Sequence, residues 1–342
     1  MELNNLSPFE LEKIIEEATH LLNMLSHSTT INSNLADKES PIKICPFCGG
    51  KYIVRNGHKN GAQRFLCRNC GKTFGSTHGT FFYRSHVDFS TIMTFITCEL
   101  NQSTLKMETD YTGLSQTTCF SLRHKLYSSI SCLRKDKKLC GETILDPFFK
   151  SINLKGTPTA KMPRLSKHRG NTSFSRGISS HKVCIYTAVD ENDTIVFEIE
   201  GTGPETEEMS ESFSKYILND ATLITDMKQA FKAFDVKKHI EIKSSGHVND
   251  EGQSLADVNQ LHSEFNQLYS QSRGISLKHL QGYLDFFTYR KYLKYSIEKM
   301  RDKEETLYKK LIKINDYIQV KEIYKVLLPV DVYGVYLNFK GI

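Results

Sequence analysis

Apolar positions recur along this chain in distinct rhythms, and the changes of rhythm mark its parts. Leu11, Ile14, Ile15, Ala18, Leu21 and Leu22 fall at helical spacing behind Ser7-Pro8-Phe9-Glu10, a capping box with proline at the first helical position. This predicts a helix to about Leu25, within residues 1–26. Residues 27–41 lose the period, are rich in Ser, Thr and Asn, and close on Pro41, so they read as a linker. Across 42–84 the apolar runs are short. Tyr52-Ile53-Val54-Arg55 and Gln63-Arg64-Phe65-Leu66 read as strands around a glycine-rich turn. Residues 85–138 return to the helical period. Segments near Phe89–Leu100 and Ser103–Asp110, the turn Tyr111-Thr112-Gly113-Leu114-Ser115 and a longer helix through Leu133 fit a helix-turn-helix.

Over 139–292 strands alternate with helices, which predicts an α/β domain. Thr143-Ile144-Leu145-Asp146 is a short apolar run ending in an acid. The runs Val183–Val189 and Thr194–Ile199 flank Asp190-Glu191-Asn192-Asp193 as a hairpin. A helix near Glu207–Leu218 precedes the buried-type strand Ala221–Thr225, which again ends in an acid, Asp226. Helix is expected from Leu255 to about Arg290, and 293–342 reads as a helical, densely charged extension with an extended tail from Leu327. No internal repeat appears.

Composition narrows the class. A chain of 342 residues is long for one domain, its 39% hydrophobic content supports a real core, and 25% charged residues is ordinary for a soluble protein. The sequence shows no basic-then-apolar leader and no apolar run near eighteen residues, so neither export nor membrane insertion is expected. A cytoplasmic protein is the expectation.

Four of the nine cysteines carry the sharpest chemical signal. Cys45, Cys48, Cys67 and Cys70 form two Cys-x-x-Cys knuckles separated by eighteen residues. Each knuckle aims two thiolates at one centre, and two knuckles close a tetrahedral cage suited to structural Zn²⁺. Glycine follows the second cysteine of each, where positive φ turns the backbone amides toward sulfur. Residues 42–84 are therefore expected to be a zinc ribbon. A closed four-sulfur site leaves no position for substrate, so any chemistry lies elsewhere. Cys98, Cys119, Cys132, Cys140 and Cys184 show no paired spacing, which favours a reducing compartment.

The net charge of +6 is modest, but its placement is not uniform. No Asp or Glu occurs between Pro41 and Val87, a stretch that holds Arg55, Lys59, Arg64, Arg68 and Lys72. None occurs between Pro147 and Val189, which holds eight Lys or Arg, among them Lys161, Arg164, Lys167, Arg169 and Arg176. Two acid-free basic blocks point to a polyanion, most simply double-stranded DNA. Arg123 and Lys125, amid polar residues of the last helix of the helix-turn-helix, are expected to contact it as well.

Two apolar strands each ending in aspartate would bring Asp146 and Asp226 together at the carboxyl edge of a sheet. Paired carboxylates repel unless divalent cations neutralise them, and that is the layout of two-metal phosphoryl transfer. The helix near 255–270 has the apolar stripe Val258, Leu261, Phe265, Leu268 and Tyr269. His262 lies on the flank of that stripe, roughly 60° from its centre, and Glu264 roughly 100° away on the other side. His262 is thus the better-placed third ligand.

Thirty-five residues separate Asp226 from His262, a spacing similar to that of the Asp-Asp-Glu transposases and retroviral integrases. The sequence resembles the bacterial insertion-sequence transposases of the Merlin/ISXO type over about residues 40–290. The resemblance is carried by the ribbon ending Phe65–Phe74, by Leu122-Arg123-His124-Lys125, and by Lys161-Met162-Pro163-Arg164 before Arg169-Gly170. It continues through Arg176-Gly177-Ile178-Ser179, Thr225-Asp226, Val258–Ser263 and Lys278–Leu284. It implies an RNase-H-like catalytic domain in which the family's aspartates fall on Asp146 and Asp226 and its third ligand on His262. It further implies Mg²⁺ or Mn²⁺, terminal inverted repeats and target DNA as partners, and a homodimer or higher assembly on DNA. Two positions depart from the family pattern. Pro147 stands where an acid usually follows the first aspartate, and proline disturbs a strand interior. Histidine at the third position suits Mn²⁺ better than Mg²⁺. The alternatives are a catalytically impaired transposase, a zinc-ribbon transcription regulator that binds DNA without cutting it, and a nuclease that only hydrolyses.

Overall fold

The computed structural model describes residues 42–59, 62–75, 77–83, 85–158, 162, 178–243, 252–314, 320–323 and 325–332. The expected N-terminal helix, the linker and most of the second basic block lie outside the described residues. The described chain forms two compact units. One runs up to Ser129 and includes the helix Met300–Lys313; the other runs from Ile130 to Ser296 and takes in 320–332. The C-terminal extension, expected as one piece, is therefore divided between them.

In the first unit, β1 (Ile53–Lys59), β2 (Ala62–Cys67) and β3 (Thr73–Gly75) make an antiparallel sheet in that order. Its buried apolar residues are Cys45, Cys67 and Phe74. A core so small cannot hold a fold without a staple. The helical part begins at Asp88, whose carboxylate accepts from the Thr91 N–H at 3.0 Å and caps α1 (Phe89–Leu100). Hydrogen bonds from Ser90 and Thr91 hold that carboxyl down to about 2. The helix α2 (Leu105–Thr112) ends at Gly113, left-handed at φ 67°, and a three-residue turn leads to α3 (Gln116–Ser131).

The second unit is a five-stranded sheet in the order β6-β5-β4-β7-β8, formed by β4 (Glu142–Ser151), β5 (Lys182–Asp190), β6 (Ile195–Thr202), β7 (Thr222–Asp226) and β8 (Lys238–Ile242). The strands β4, β7 and β8 run parallel; β5 is antiparallel to both its neighbours. Side chains of β5 alternate between two buried faces, which is why its sequence reads as a continuous apolar run. Val183, Ile185 and Val189 face one core with Val258, Leu261 and Phe265 of α5 (Ala256–Gln271) and Leu280, Leu284 and Phe287 of α6 (Leu277–Ser296). Cys184, Tyr186 and Ala188 face the other, with Phe213 of α4 (Glu207–Ser214) and Phe231.

Three features depart from the sequence reading. The helix expected over 255–290 is two helices, because Arg273 and Gly274 adopt φ of 51° and 85°; buried Ile275 between them disguised the break. The edge strand β8 has exposed Lys238 and Glu241 that guard it from further pairing, and these charges hid it. The third departure concerns Pro147, which was expected to disturb the strand at Asp146. Instead the β4–β5 register runs evenly through Asp146↔Thr187, Pro147↔Tyr186 and Phe148↔Ile185. The other neighbour, β7, ends at Asp226, level with Asp146. At Pro147 the strand thus has a partner on one side only, the condition in which proline is tolerated.

Candidate functional site

The four cysteine sulfurs lie within 4.8 Å of one another, with Cys45 Sγ 3.7 Å from Cys70 Sγ and Cys48 Sγ 3.6 Å from Cys67 Sγ. A tetrahedron with metal–sulfur arms of about 2.3 Å has edges of about 3.8 Å, so the spacing fits such an ion. Each knuckle is closed in the same way. Gly49 N–H donates to Cys45 O and Gly71 N–H to Cys67 O, both at 2.9 Å. Both glycines are left-handed, at φ of 70° and 69°. The Phe47 N–H also points at Cys45 Sγ, at 3.4 Å. These four residues could hold a metal such as zinc, and four sulfur donors would fill a tetrahedral shell, as in a structural site.

The second unit gathers acids at one end of its sheet. Glu142 pairs with Thr222, Thr143 with Leu223 and Ile144 with Ile224; continued, that parallel register sets Asp146 level with Asp226. Asp146 shares a face of β4 with Phe148, which faces α5. The buried face of that helix is Val258, Leu261, His262 and Phe265. His262 stacks on Phe148, with ring centroids 4.6 Å apart and planes 20° apart, and its Nδ1 stands 3.8 Å from Asp146 Oδ2. That is too long for a hydrogen bond. His262 Nε2 and Asp226 Oδ1 are buried with no hydrogen-bond partner among the described residues. Glu264 turns away: Lys291 and Gln260 donate to its Oε1 at 2.9 and 3.1 Å. Burial opposes ionisation of Glu264, but these bonds win and hold its carboxyl below the usual range. The structure thus brings together Asp146, Asp226 and His262, and leaves Glu264 outside. Among the described residues only the four cysteines converge to within 4.8 Å; the acids and His262 are spaced more widely.

The electrostatics of this cleft are strained. Burial, and then the charges of Asp226 and Glu205, push Asp146 up to about 7. Burial also raises Asp226, against the opposing charge of Lys228. Burial, with Lys150 nearby, pulls His262 down to about 4, so its ring is neutral at pH 7 with a lone pair to give. Carboxylates held this way are relieved by a divalent cation.

Sequence reasoning missed Glu205 and Lys228. Glu205 lies in the loop between β6 and α4 with its side chain 5% exposed, and Lys228 Nζ sits 3.2 Å from its Oε1 and 3.8 Å from Asp226 Oδ2. Glu205, Glu207 and Glu208 together look like ordinary acids of a helix start, and nothing in the sequence singled out the first.

The expected DNA contacts divide sharply. Arg55, Arg68 and Lys72 are exposed, the last with Nζ 4.9 Å above the Phe47 ring. Arg64 is half-buried and donates to Thr73 Oγ1 at 2.7 Å. The side chain of Lys59, and Lys161, Arg164, Lys167, Arg169 and Arg176, lie outside the described residues. Arg123 and Lys125 require a correction. Arg123 is 5% exposed, and its guanidinium bonds Glu99 Oε1 at 2.8 Å, Ser103 O at 2.8 Å and Glu108. Lys125 is 6% exposed, with Nζ 5.2 Å from the Phe81 ring centroid. The physical reason is that α3 is buried at every position from Ser121 to Tyr127. Its charges serve partners inside the unit, so a polar stretch of sequence was mistaken for a surface.

Two comparisons bear on this geometry. Residues 152–291 match the ISXO2-like transposase domain. That span holds Asp226 and His262 and starts six residues after Asp146. The chain is also similar to an uncharacterized protein in transposable element ISH50 of Halobacterium salinarum. The two are 26% identical over 266 residues, covering 72% of this chain and 84% of the relative. No helix among the described residues is long and apolar enough to cross a membrane. Both likenesses point the same way, to proteins of insertion elements.

Proposed function

We propose that this chain is a DNA transposase that cuts at the terminal inverted repeats of its element and joins the freed ends to target DNA. The observation that carries the reading is the parallel β4–β7 register, which sets Asp146 beside Asp226 with His262 Nδ1 3.8 Å from the first. In order of appearance along the chain the five strands stack as 3-2-1-4-5, which supports an RNase-H-like catalytic domain over 139–292. The donor set fits Mg²⁺ or, given His262, better Mn²⁺. Such ions supply activation of the attacking oxygen and charge relief on the leaving one. Asp146 and Asp226 would hold them through carboxylate oxygen and His262 through a ring nitrogen. Phe148 fixes the imidazole plane by stacking, and the apolar residues beside it keep water from the ring. Lys150 projects from the same face of β4, its ammonium 4.4 Å from the Tyr269 ring centroid, where it can meet a DNA phosphate.

The sulfur cage would hold zinc and keep the ribbon folded, presenting exposed Arg55, Arg68 and Lys72 to the phosphate backbone. Two ends must be handled together, so the working form is a homodimer or larger assembly on DNA. The test is cleavage of labelled DNA carrying the element's flanking inverted repeats, in Mg²⁺ or Mn²⁺. Cutting and strand-transfer products are expected from the native protein, with loss in Asp226→Asn and His262→Ala and retention in Glu264→Ala. An Asp226→Asn protein that still transposes would overturn the assignment.

A further inference from the structure

The acid cleft contains a third carboxylate and a resident cation that the two-aspartate scheme does not use. Lys228 Nζ touches Glu205 Oε1 at 3.2 Å and approaches Asp226 Oδ2 at 3.8 Å, so those two carboxylates lie within reach of one amine. Glu205 is nearly fully buried, yet it sits in a loop rather than a core strand. Glu205 and Asp226 thus share one amine, and Asp226 stands level with Asp146 across the β4–β7 pair. On the far side His262, 9% exposed, has an imidazole with no hydrogen-bond partner among the described residues for its Nε2. Its Nδ1 is turned to Asp146 without bonding it. His262 thus brings a buried ring nitrogen without a partner among the described residues to the end of the sheet that holds Asp146.

Building on the transposase reading, we propose that Glu205 is a further ligand of the divalent-metal site and that Lys228 occupies the cation's place until metal binds. The chemistry is consistent on three counts. An Asp, Asp, His set offers only two anionic ligands, and Mg²⁺ or Mn²⁺ is held more firmly by three. One ion about 2.1 Å from each of two oxygens needs them about 4 Å apart, and oxygens 3.2 and 3.8 Å from the same Lys228 amine are close enough for Glu205 and Asp226 to meet that span. Lys228 is a flexible stem whose side chain is 42% exposed, so it can swing out to water without disturbing the core.

The test is Mn²⁺ titration of the zinc-loaded full chain by calorimetry, with no DNA present. Glu205→Gln should weaken Mn²⁺ binding at least tenfold, comparably to Asp226→Asn, while Lys228→Met should tighten it several-fold by removing the competing amine. If Glu205→Gln binds Mn²⁺ as the native chain does while Asp226→Asn does not, Glu205 is only the counter-ion of Lys228 and the proposal fails. If Asp226→Asn also binds normally, the transposase site itself is misassigned. Should Glu205→Gln melt early, Lys228→Met decides: unchanged or weaker Mn²⁺ binding in that variant overturns the proposal.

Discussion

Replacing Arg123 separates a structural arginine from a DNA-reading one more cleanly than any other change in the first unit. The guanidinium lies between Glu99, whose side chain is 2% exposed, and Glu108, whose side chain is fully buried. Burial and the neighbouring Glu99 already push Glu108 up to about 9, against the pull of Arg123. Arg123→Ala would take the guanidinium from both Glu99 and Glu108, while the Tyr127 hydroxyl stays 2.8 Å from Glu99 Oε2. Breaking a buried ion pair from one side costs about 3–5 kcal/mol. At the roughly 2–4 °C per kcal/mol expected of a unit this size, that lowers its melting transition by about 10 °C. An exposed, DNA-contacting arginine would change stability by no more than about 0.5 kcal/mol. The assay is thermal unfolding of the zinc-loaded protein, paired with the salt dependence of DNA affinity below the melting range. Arg123→Met combined with Glu99→Gln and Glu108→Gln should recover much of the loss, because no uncompensated charge then remains. A variant that melts like the native chain but binds DNA with a shallower salt slope would refute the reasoning, since a shallower slope is the mark of a lost phosphate contact.

Cys48→Ser should abolish binding of one equivalent of zinc and unfold the small β1–β3 sheet, because three buried side chains cannot hold it; metal analysis and amide exchange over 42–75 check this. Asp146 has its folded-state carboxyl at about 7, above the ordinary 3.8. A raised acid favours the fold fully below the ordinary value and loses that contribution as pH climbs toward 7. Metal-free native protein should therefore lose, relative to Asp146→Asn, on the order of 4 kcal/mol across that window. Parallel melting curves for the two proteins from pH 4 to 7 would contradict it, and added Mn²⁺ should narrow the gap. His262→Glu should move metal preference from Mn²⁺ toward Mg²⁺ by about tenfold in the ratio of cleavage rates, since an oxygen ligand replaces nitrogen; an unchanged ratio would count against His262 as a ligand.

What could be read without coordinates was whatever depends on near neighbours or strict spacing. The Cys-x-x-Cys knuckles, the glycines after them and the apolar runs of β4, β5 and β7 are local features, fixed by turn geometry and by side chains that must leave water. Even His262 was reachable, because 100° per residue places it against Val258 and Leu261 within one helix. What only the tertiary structure decided was which charges face inward and which neighbours distant segments meet. Arg123 and Lys125 look like surface cations until α3 is seen to be enclosed, since a sequence does not say that two glutamates some 15 and 24 residues away fold back to meet a guanidinium. Pro147 looks disruptive until β7 is seen to stop at Asp226. Glu205 and Lys228 reach the site from separate loops, 23 residues apart. Electrostatic partnership depends on distance through space, and no period along the chain encodes it.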